Sequence, residues 1–163
     1  MIKMRSAKEE DAGILTDISF AAKRYWQYPE EYYRIWKSEL TVGAEYIRSN
    51  DVWVYEDTRT IVGYYSLVTL HEEIKVDGVS LPCGHWLDHM FIRPPYIGSG
   101  IGTEMFQHLR NRCEHRKIEN LNILADPNAK GFYEKMGCRF TEDFPSTITG
   151  RTTPYLVLQV AKG

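Results

Sequence analysis

The chain has 163 residues, 43% of them hydrophobic and 13% aromatic, which is enough for one packed domain and excludes a disordered or low-complexity chain. Lysine and arginine number 20 against 22 aspartates and glutamates, so the net charge of -2 provides no basic surplus for a nucleic-acid partner. No apolar run reaches the roughly 20 residues of a membrane-spanning helix, the charged N-terminus is unlike a signal peptide, and three cysteines without a CxxC pair indicate a reducing, cytoplasmic setting.

The first part of the chain is predicted to be mainly helical. A strand is predicted over residues 2–5, and Ser6 with Glu9 forms the S-x-x-E pattern of a capping box, which predicts a helix start. Apolar residues at three- and four-residue spacing from Ala12 to Ala22 predict the helix itself. Two more helices are predicted, over residues 30–40 and 42–48.

From residue 52 onward the pattern changes to strands. Strands are predicted over 52–55, 60–70, 85–92, 121–125, 139–142 and 155–160, with a hairpin over 73–81 around Asp77 and Gly78. Two helices interrupt them, one after the glycines at 98–102 and one from Asp126 to Gly137. We therefore predict one α/β domain over residues 1–163, with a mixed sheet of six to seven strands and helices on both faces.

A glycine-rich loop lies between the predicted strand at 85–92 and the helix that follows it. Gly98, Gly100 and Gly102 let the backbone approach a ligand closely, and the helix adds its dipole, so we expect the loop to hold an anion such as pyrophosphate. A Walker loop is excluded because no lysine follows the glycines, and the dinucleotide fingerprint has a third glycine where Thr103 stands. A glycine-rich turn without a ligand remains the alternative.

Two sequence blocks resemble the motifs of one enzyme family. Residues 90–102, MFIRPPYIGSGIG, resemble motif A of the GNAT-type N-acetyltransferases, and residues 125–137, ADPNAKGFYEKMG, resemble motif B. The order and spacing of the blocks match the family, so the resemblance implies a single GNAT-like domain that uses acetyl-CoA as co-substrate and no metal. Ile97 departs from the pattern, because the family usually has Gln or Arg there.

The resemblance also implies which groups bind the cofactor. They are Met90, Phe91, Ile92, Ile97, Gly98, Ser99, Gly100, Ile101, Gly102, Thr103, Asp126 and Asn128. In the family, the backbone N–H groups of residues 90–92 hold the acetyl carbonyl oxygen where a bulge splays the strand, and a bulge leaves such groups unpaired. A plain buried strand is the alternative at these residues.

Two side chains are implied to carry the proton transfers. Tyr133 matches the motif B tyrosine, whose phenol, with a pKa near 10, donates to the departing thiolate, although packing of Tyr133 on an apolar helix face is the alternative. Asp88 shares a strand face with Trp86 at positions where relatives have proton acceptors, so Asp88 is the candidate base through water. A solvated carboxylate is the alternative for Asp88, and His89 on the other face is predicted to be a hydrogen-bonded core histidine.

Seven aromatic residues fall within residues 20–36, a region that covers the acceptor side of the cleft in the family. Trp26 and Tyr28 are the candidate substrate-binding residues, since aromatic walls suit an apolar or cationic amine. Glu30 and Glu31 are candidates for attracting the amine. Core packing and contacts of a homodimer are the alternatives for this cluster.

The resemblance implies an acyltransferase that moves an acetyl group from acetyl-CoA to a primary amine by direct attack on the thioester, with a small molecule as the expected acceptor. A non-catalytic acyl-CoA-binding regulatory module and a protein or peptide N-acetyltransferase remain alternatives. Near the C-terminus, residues 145–154, PSTITGRTTP, are similar to a stretch found in one branch of these enzymes, and this similarity identifies no substrate.

Overall fold

The computed structural model describes residues 3–76 and 79–160. Its helices are α1 (Ala12–Arg24), α2 (Glu30–Leu40), α3 (Ala44–Ser49), α4 (Ile101–His115) and α5 (Lys130–Lys135). Its strands are β1 (Met4–Ser6), β2 (Asp51–Asp57), β3 (Thr60–Leu70), β4 (Ile74–Val76), β5 (Val79–Leu81), β6 (Gly84–Ile92), β7 (Asn120–Leu124), β8 (Arg139–Pro145) and β9 (Thr152–Gln159).

Seven strands form one mixed sheet in the order β1-β2-β3-β6-β7-β9-β8, and β4 with β5 forms a separate antiparallel pair. Strands β6 and β7 are parallel, whereas β7 with β9 and β8 with β9 are antiparallel. This architecture confirms the predicted α/β class with a mixed sheet. The predicted hairpin is also present, although its turn at Asp77 and Gly78 lies outside the described residues.

The contacts divide the described residues into two compact units. The first unit runs up to Leu67 and includes His89–His108, and the second contains Val68–Asp88 and the residues from Leu109 onward. The prediction of a single domain over residues 1–163 stays a prediction.

The first unit is built around α1 and the edge of the sheet formed by β1, β2 and β3. Leu15 and Ile18 of α1 are fully buried in one cluster with Val52 and Val54 of β2. These helix residues are three apart and these strand residues two apart, so each element turns one apolar face to the same core. The predicted periodicity of α1 is thereby confirmed.

The second unit has its core on β7 and β9. Leu121 pairs with Leu158, and Ile123 with Leu156, and all four side chains are buried. Residues two apart on a strand face the same side, so these pairs form one continuous apolar layer. This layer supports the segment after β7, which carries motif B.

The predicted capping box at Ser6 and Glu9 is wrong. Ser6 is the last residue of β1, and the Lys8 N–H donates to Asp11 Oδ2 over 2.8 Å at the start of a 3-10 turn that precedes α1. Glu9 instead forms an ion pair with Arg48, with Nη1 and Oε1 2.5 Å apart. Because this partner is distant in sequence, the local S-x-x-E pattern could not reveal it.

The helix of motif B also begins differently from the prediction. Asp126 caps a 3-10 turn over Pro127–Ala129, and the α-helical part starts only at Lys130. The helix ends before Gly137, as predicted, where φ is +99°. The predicted first strand over 2–5 corresponds to β1, whose described part is shifted towards Ser6.

Candidate active site

The glycine loop is anchored at its start by Arg93, which follows β6. The backbone N–H of Arg93 donates to the Val62 carbonyl oxygen at 2.8 Å, and its Nε donates to the Ile61 carbonyl oxygen at 2.9 Å. A 3-10 turn over Pro94–Tyr96 then leads into the loop. Strand β3 therefore holds the entry of the loop through both the backbone and the side chain of one arginine.

Two glycines of the loop have left-handed backbone. Gly98 has φ of +83° and Gly100 has φ of +88°, a region that residues with a Cβ rarely adopt. A Cβ built at either position would meet no atom within 4 Å. Glycine is thus required by the backbone conformation, and the space beside the backbone is open to a ligand.

The backbone donors of the loop fall into two groups. The Ile97 N–H donates to the Pro94 carbonyl oxygen at 3.1 Å, and the Ser99 N–H and Oγ both donate to the Tyr96 carbonyl oxygen, at 3.3 and 2.5 Å. These turn bonds use the N–H groups of Ile97 and Ser99 inside the loop. A cofactor contact of Ser99 stays a prediction.

The second group of donors lies at the start of α4. Glu104 N–H to the Gly100 carbonyl oxygen, at 3.1 Å, is the first helical hydrogen bond of α4. The N–H groups of Ile101, Gly102 and Thr103 precede it, so they have no acceptor within their own helix. Together with the positive end of the dipole of a 15-residue helix, they form an arrangement that binds anions.

One acidic residue stands in the first turn of α4. The Tyr55 hydroxyl donates to the Glu104 carboxylate, which ties this turn to β2. Burial, followed by the bond to Glu104, raises the pKa of Tyr55 to about 12. The tyrosine therefore stays protonated and keeps donating to Glu104 at neutral pH.

The strand segment at residues 90–92 is half-buried. On one side of this segment the His89 N–H donates to Ser66 Oγ at 3.1 Å, a side-chain acceptor, and on the other side the Arg93 N–H donates to the Val62 carbonyl oxygen at 2.8 Å. The predicted bulge at 90–92, and the oxyanion role that depends on it, stay predictions.

His89 is a core residue, as predicted. It is buried, and its Nδ1 lies 2.7 Å from the Tyr64 hydroxyl, which lies 2.5 Å from Ser19 Oγ. Ser19 also donates to the Leu15 carbonyl oxygen at 3.0 Å, so Ser19, Tyr64 and the His89 ring form one chain of hydrogen bonds. The histidine ring is thus held in the core of the first unit.

Tyr133 is buried, with 6% of its surface exposed, on α5 of the second unit. Burial raises the pKa of its hydroxyl, and the nearby Cys138 thiol and Asp126 carboxylate raise that pKa further. The hydroxyl is therefore protonated at neutral pH, which a proton or hydrogen-bond donor requires.

Asp126 and Asn128 bind each other at the start of motif B. Asp126 Oδ1 accepts the Asn128 backbone N–H at 2.9 Å and its Nδ2 at 3.0 Å. This is a side-chain cap of the 3-10 turn, which the sequence did not predict for these two residues. Their cofactor contacts stay predictions.

The candidate base Asp88 lies in the middle of β6 and is exposed, whereas Trp86, predicted to lie on the same face of the strand, is buried. The Trp86 Nε1 donates to the Pro82 carbonyl oxygen at 3.0 Å, and its ring stacks on Tyr155 with centroids 5.8 Å apart. The tryptophan is therefore a packing residue. The exposure of Asp88 is compatible with proton acceptance through water, and this role stays a prediction.

The aromatic residues after α1 form two groups. Tyr28, Tyr32, Tyr33 and Trp36 pack edge to face or tilted, and Lys23 Nζ lies 4.6 Å from the Trp36 ring centroid. In the second group, Trp26 is 42% exposed and lies against Tyr25 with centroids 4.8 Å apart. Tyr28 therefore belongs to a packed cluster with its own cation, whereas Trp26 presents its ring to solvent.

Glu30, a candidate for attracting the amine, forms an exposed ion pair with Arg24. Arg24 donates to both carboxylate oxygens of Glu30, at 3.1 and 3.2 Å. The charge of Glu30 is thereby balanced by a residue six positions earlier, so Glu30 has a partner before any amine arrives. The expectation for Glu31 stays a prediction.

Comparison with known proteins assigns the family. Residues 27–147 match the family model of the acetyltransferase (GNAT) domain. The chain belongs to the GNAT acetyltransferases. No curated protein sequence matches it.

Solved structures of other GNAT acetyltransferases share the fold along nearly the whole chain. A GCN5-related N-acetyltransferase from Rhodopseudomonas palustris matches with a TM-score of 0.73 and 19% identity, covering 98% of each chain. The PaiA N-acetyltransferase from Thermoplasma acidophilum, crystallised with coenzyme A, matches at 0.72 and 15%, covering 96% of this chain and 97% of its own. A ribosomal-protein alanine N-acetyltransferase from Escherichia coli matches at 0.66 and 16%, covering 98% and 94%.

This GNAT chain departs from the family pattern at Ile97, whose side chain is 46% exposed. An exposed isoleucine supplies no charge to a phosphate, so an anion held at this loop would depend on backbone donors. Two residues that position the motifs were not identified from the sequence, Arg93 before the loop and Arg151, which lies 3.9 Å from Asp126. Their hydrogen-bond and ion-pair partners are distant along the chain. The only local signals for these two arginines are the dipeptide Arg93-Pro94 and the stretch at 145–154.

The described residues contain no group of three or more His, Cys, Asp or Glu side chains arranged to hold a metal ion. Cys83, Cys113 and Cys138 are all free. Among residues 3–76 and 79–160 no helix is long and apolar enough to cross a membrane.

Proposed function

We propose that this GNAT protein transfers the acetyl group of acetyl-CoA directly to a primary amine of a small molecule. The observation that carries the proposal is the start of α4, where two left-handed glycines precede three N–H groups without helical acceptors. The neighbour from Thermoplasma that was crystallised with coenzyme A supports the choice of cofactor.

In the binding step, the N–H groups of Ile101, Gly102 and Thr103 donate to the pyrophosphate oxygens. A hydrogen bond to a charged group contributes about 1.5–3 kcal/mol, so this set accounts for much of the affinity without any cationic side chain. The open space beside Gly98 and Gly100 allows the phosphates to approach the backbone. Ile97 and Ser99 contribute the shape of the loop rather than donors.

In the chemical step, acetyl-CoA supplies an acetyl group activated as a thioester. The amine nitrogen attacks the carbonyl carbon, the carbon–sulfur bond breaks, the amine loses one proton and the leaving sulfur is stabilised by a donor. The N–H groups at residues 90–92 hold the carbonyl oxygen as its charge increases. Asp88 accepts the amine proton through water.

Tyr133 provides the donor for the leaving sulfur. The raised pKa of its buried hydroxyl makes it a weaker acid than a thiol, whose ordinary pKa is about 8.5. We therefore propose that Tyr133 stabilises the sulfur by donating a hydrogen bond as negative charge develops. Such a bond acts in the transition state and adds little to ground-state affinity.

The acceptor is proposed to contact Trp26 and Tyr28. The exposed ring of Trp26 supports an amine with an apolar or cationic body, because such groups bind aromatic faces. Tyr28 would contribute its outer edge, since its ring already packs in a cluster. We also propose that the protein works in the reducing cytosol, which the three free cysteines support, and that it forms a homodimer.

The test is release of free coenzyme A thiol from acetyl-CoA in the presence of a panel of small primary amines and of peptides with a free N-terminus. Release with a small amine, and a rise in melting temperature with acetyl-CoA but not with ATP or NADH, is the expected result. Thiol release only with peptides would replace the small-molecule acceptor by a protein. Stabilisation without thiol release from any amine would favour the regulatory module.

A further inference from the structure

The stretch at residues 145–154, to which no role has been assigned so far, contains the end of β8, the loop over residues 146–151 and the start of β9. The Ser146 N–H donates to the Arg151 carbonyl oxygen at 2.9 Å, and the Arg151 N–H donates to the Ile148 carbonyl oxygen at 3.1 Å. Ser146 Oγ accepts the Ile148 N–H at 3.0 Å, and Gly150 has the positive φ, +81°, that the turn needs. These hydrogen bonds fix the backbone of Arg151 within the loop.

The side chain of Arg151 is directed to the start of motif B. Its Nη2 lies 3.9 Å from Asp126 Oδ2, and the two side chains are 14% and 11% exposed. An ion pair this well covered is screened less by salt than a surface pair, and removal of one partner leaves a partly buried charge behind. The interaction joins the turn at 145–154 to Asp126 across 25 residues of sequence.

Asp126 in turn organises the segment that carries Tyr133. Its other oxygen, Oδ1, accepts two hydrogen bonds from Asn128, and its carbonyl oxygen accepts the Ala129 N–H at 2.8 Å. The residue before it, Ala125, donates to the Pro154 carbonyl oxygen at 3.0 Å, at the end of the same stretch. Two residues of the PSTITGRTTP stretch, Arg151 and Pro154, thus contact the start of motif B.

The electrostatics of α5 agree with this arrangement. Burial is the main reason that the pKa of Tyr133 is raised, and the Asp126 carboxylate adds to it. Asp126 therefore acts on the Tyr133 hydroxyl by its charge as well as through the cap of the turn, and Arg151 is the ion-pair partner of this carboxylate.

We infer that Arg151 is a positioning residue: through its ion pair with Asp126, it holds the capped start of the segment Pro127–Lys135 and thereby the Tyr133 hydroxyl. This inference rests on the proposed function for the catalytic role of Tyr133, but the ion pair and its structural effect can be tested without activity. Arg151 does not itself touch the reacting atoms in this scheme.

The first measurement is hydrogen exchange of the backbone amides of residues 128–135 in the full chain. Arg151→Met removes the charge and keeps much of the length of the side chain, and Arg139→Met on β8 is the matched control, because Arg139 is exposed. We expect exchange in this segment to accelerate roughly five- to tenfold in Arg151→Met, the scale of losing a helix cap, and to be unchanged in Arg139→Met. Arg151→Lys should restore part of the protection.

The second measurement asks whether Arg151 acts through Tyr133. With an accepted amine, Arg151→Met should lower kcat roughly 10- to 100-fold, the scale of misplacing a catalytic group, and leave the KM for acetyl-CoA nearly unchanged. In the Tyr133→Phe background the same substitution should cause little further loss, because the hydroxyl that it positions is already gone. A merely structural role would lower activity equally in both backgrounds.

The outcomes separate the two levels of the proposal. Unchanged exchange in Arg151→Met would overturn the positioning role whatever the activity. Faster exchange with equal losses in both backgrounds would also overturn it, since Arg151 would then be a stability residue. If exchange is faster in Arg151→Met but the wild type acetylates no amine, the proposed function and the Tyr133 step would be refuted, while the ion pair between Arg151 and Asp126 would stand.

Discussion

The start of α4 and the segment that carries Tyr133 differ in the kind of group they present. At the start of α4 the useful groups are backbone N–H donors beside exposed glycines, whose positions depend on φ rather than on side-chain identity. In the segment Pro127–Lys135 the useful group is one buried hydroxyl, whose position depends on packing, on a cap and on a distant arginine.

This difference indicates how each region responds to substitution. A backbone donor survives most side-chain changes and is lost only when φ or steric access changes. A buried hydroxyl is lost with a single atom, and its loss affects the transition state more than binding. We therefore expect the start of α4 to determine affinity for acetyl-CoA, and Tyr133 to determine turnover.

The largest expected effect is on turnover in Tyr133→Phe. The substitution removes the hydroxyl and keeps the ring, so the hydrogen bond to the leaving sulfur is lost and kcat should fall by roughly 10²–10³, the range for loss of one donor to transition-state charge. The dissociation constant of acetyl-CoA should change little. Thiol-release kinetics at saturating amine, with calorimetric titration of acetyl-CoA, measure both quantities.

The matched control for this variant is Tyr155→Phe in the same unit. The Tyr155 hydroxyl makes a partly buried hydrogen bond, donating to Asn122 Oδ1 at 2.5 Å, but it has no part in the proposed chemistry. Its removal should affect stability and leave kcat unchanged. Wild-type turnover in Tyr133→Phe would make Tyr133 a packing residue.

The second largest effect is on affinity in Gly100→Val. A β-branched side chain obstructs the approach of the pyrophosphate, and loss of one or two charged hydrogen bonds should weaken acetyl-CoA binding roughly 10- to 100-fold. At saturating acetyl-CoA, kcat should stay close to that of the wild type. Calorimetric titration gives the affinity.

Gly100→Val also introduces strain, since Gly100 has φ of +88° and a residue with a Cβ is destabilised there by about 1–2 kcal/mol. Gly100→Ala carries the same strain with less bulk, so it should bind acetyl-CoA more tightly than the valine variant. Circular dichroism must show both variants folded. If folded Gly100→Val binds acetyl-CoA as tightly as the wild type, the pyrophosphate does not bind at this loop.

A much smaller effect is expected at Ser99. Its Oγ and its N–H both donate to the Tyr96 carbonyl oxygen, so Ser99→Ala removes one of two bonds that shape the turn and no donor to the ligand. The dissociation constant of acetyl-CoA should rise less than about threefold, equivalent to a few tenths of a kcal/mol. A tenfold loss would show that the serine contacts the cofactor directly.

The smallest expected effect is the contribution of Tyr133 to the pH dependence of the rate. Burial raises the pKa of Tyr133 above its ordinary value of 10, so the hydroxyl stays protonated and no fall in kcat between pH 7 and 10 should arise from it. The pH profile of the wild type is the measurement. A descending limb in this range that disappears in Tyr133→Phe would contradict the raised pKa.

The fold was largely predictable from the sequence because its signals are local. The bounds of α2 and β3 agree with the predicted ranges 30–40 and 60–70, where helical periodicity and a long apolar run are unambiguous. The glycine loop was predictable for the same reason, because glycine is the residue that favours the left-handed backbone found at Gly98 and Gly100.

The pairing of side chains was not predictable to the same extent. Glu9 bonds to Arg48 rather than capping its own helix, and Glu30 forms an ion pair with Arg24. Arg151 reaches Asp126 only because a turn and two strands bring them together. Each pairing depends on tertiary contacts that no local pattern encodes, and the candidate site was therefore predictable in its backbone part and not in its supporting ion pairs.

The most direct test of the central claim is a crossed measurement of kcat and of the acetyl-CoA dissociation constant in the wild type, Gly100→Val and Tyr133→Phe. We predict that the glycine variant loses affinity with kcat nearly preserved at saturation, and that the tyrosine variant loses kcat with affinity nearly preserved. If both variants changed the same quantity, or if the tyrosine variant lost affinity while the glycine variant lost turnover, the assignment of binding to the start of α4 and of chemistry to Tyr133 would be contradicted.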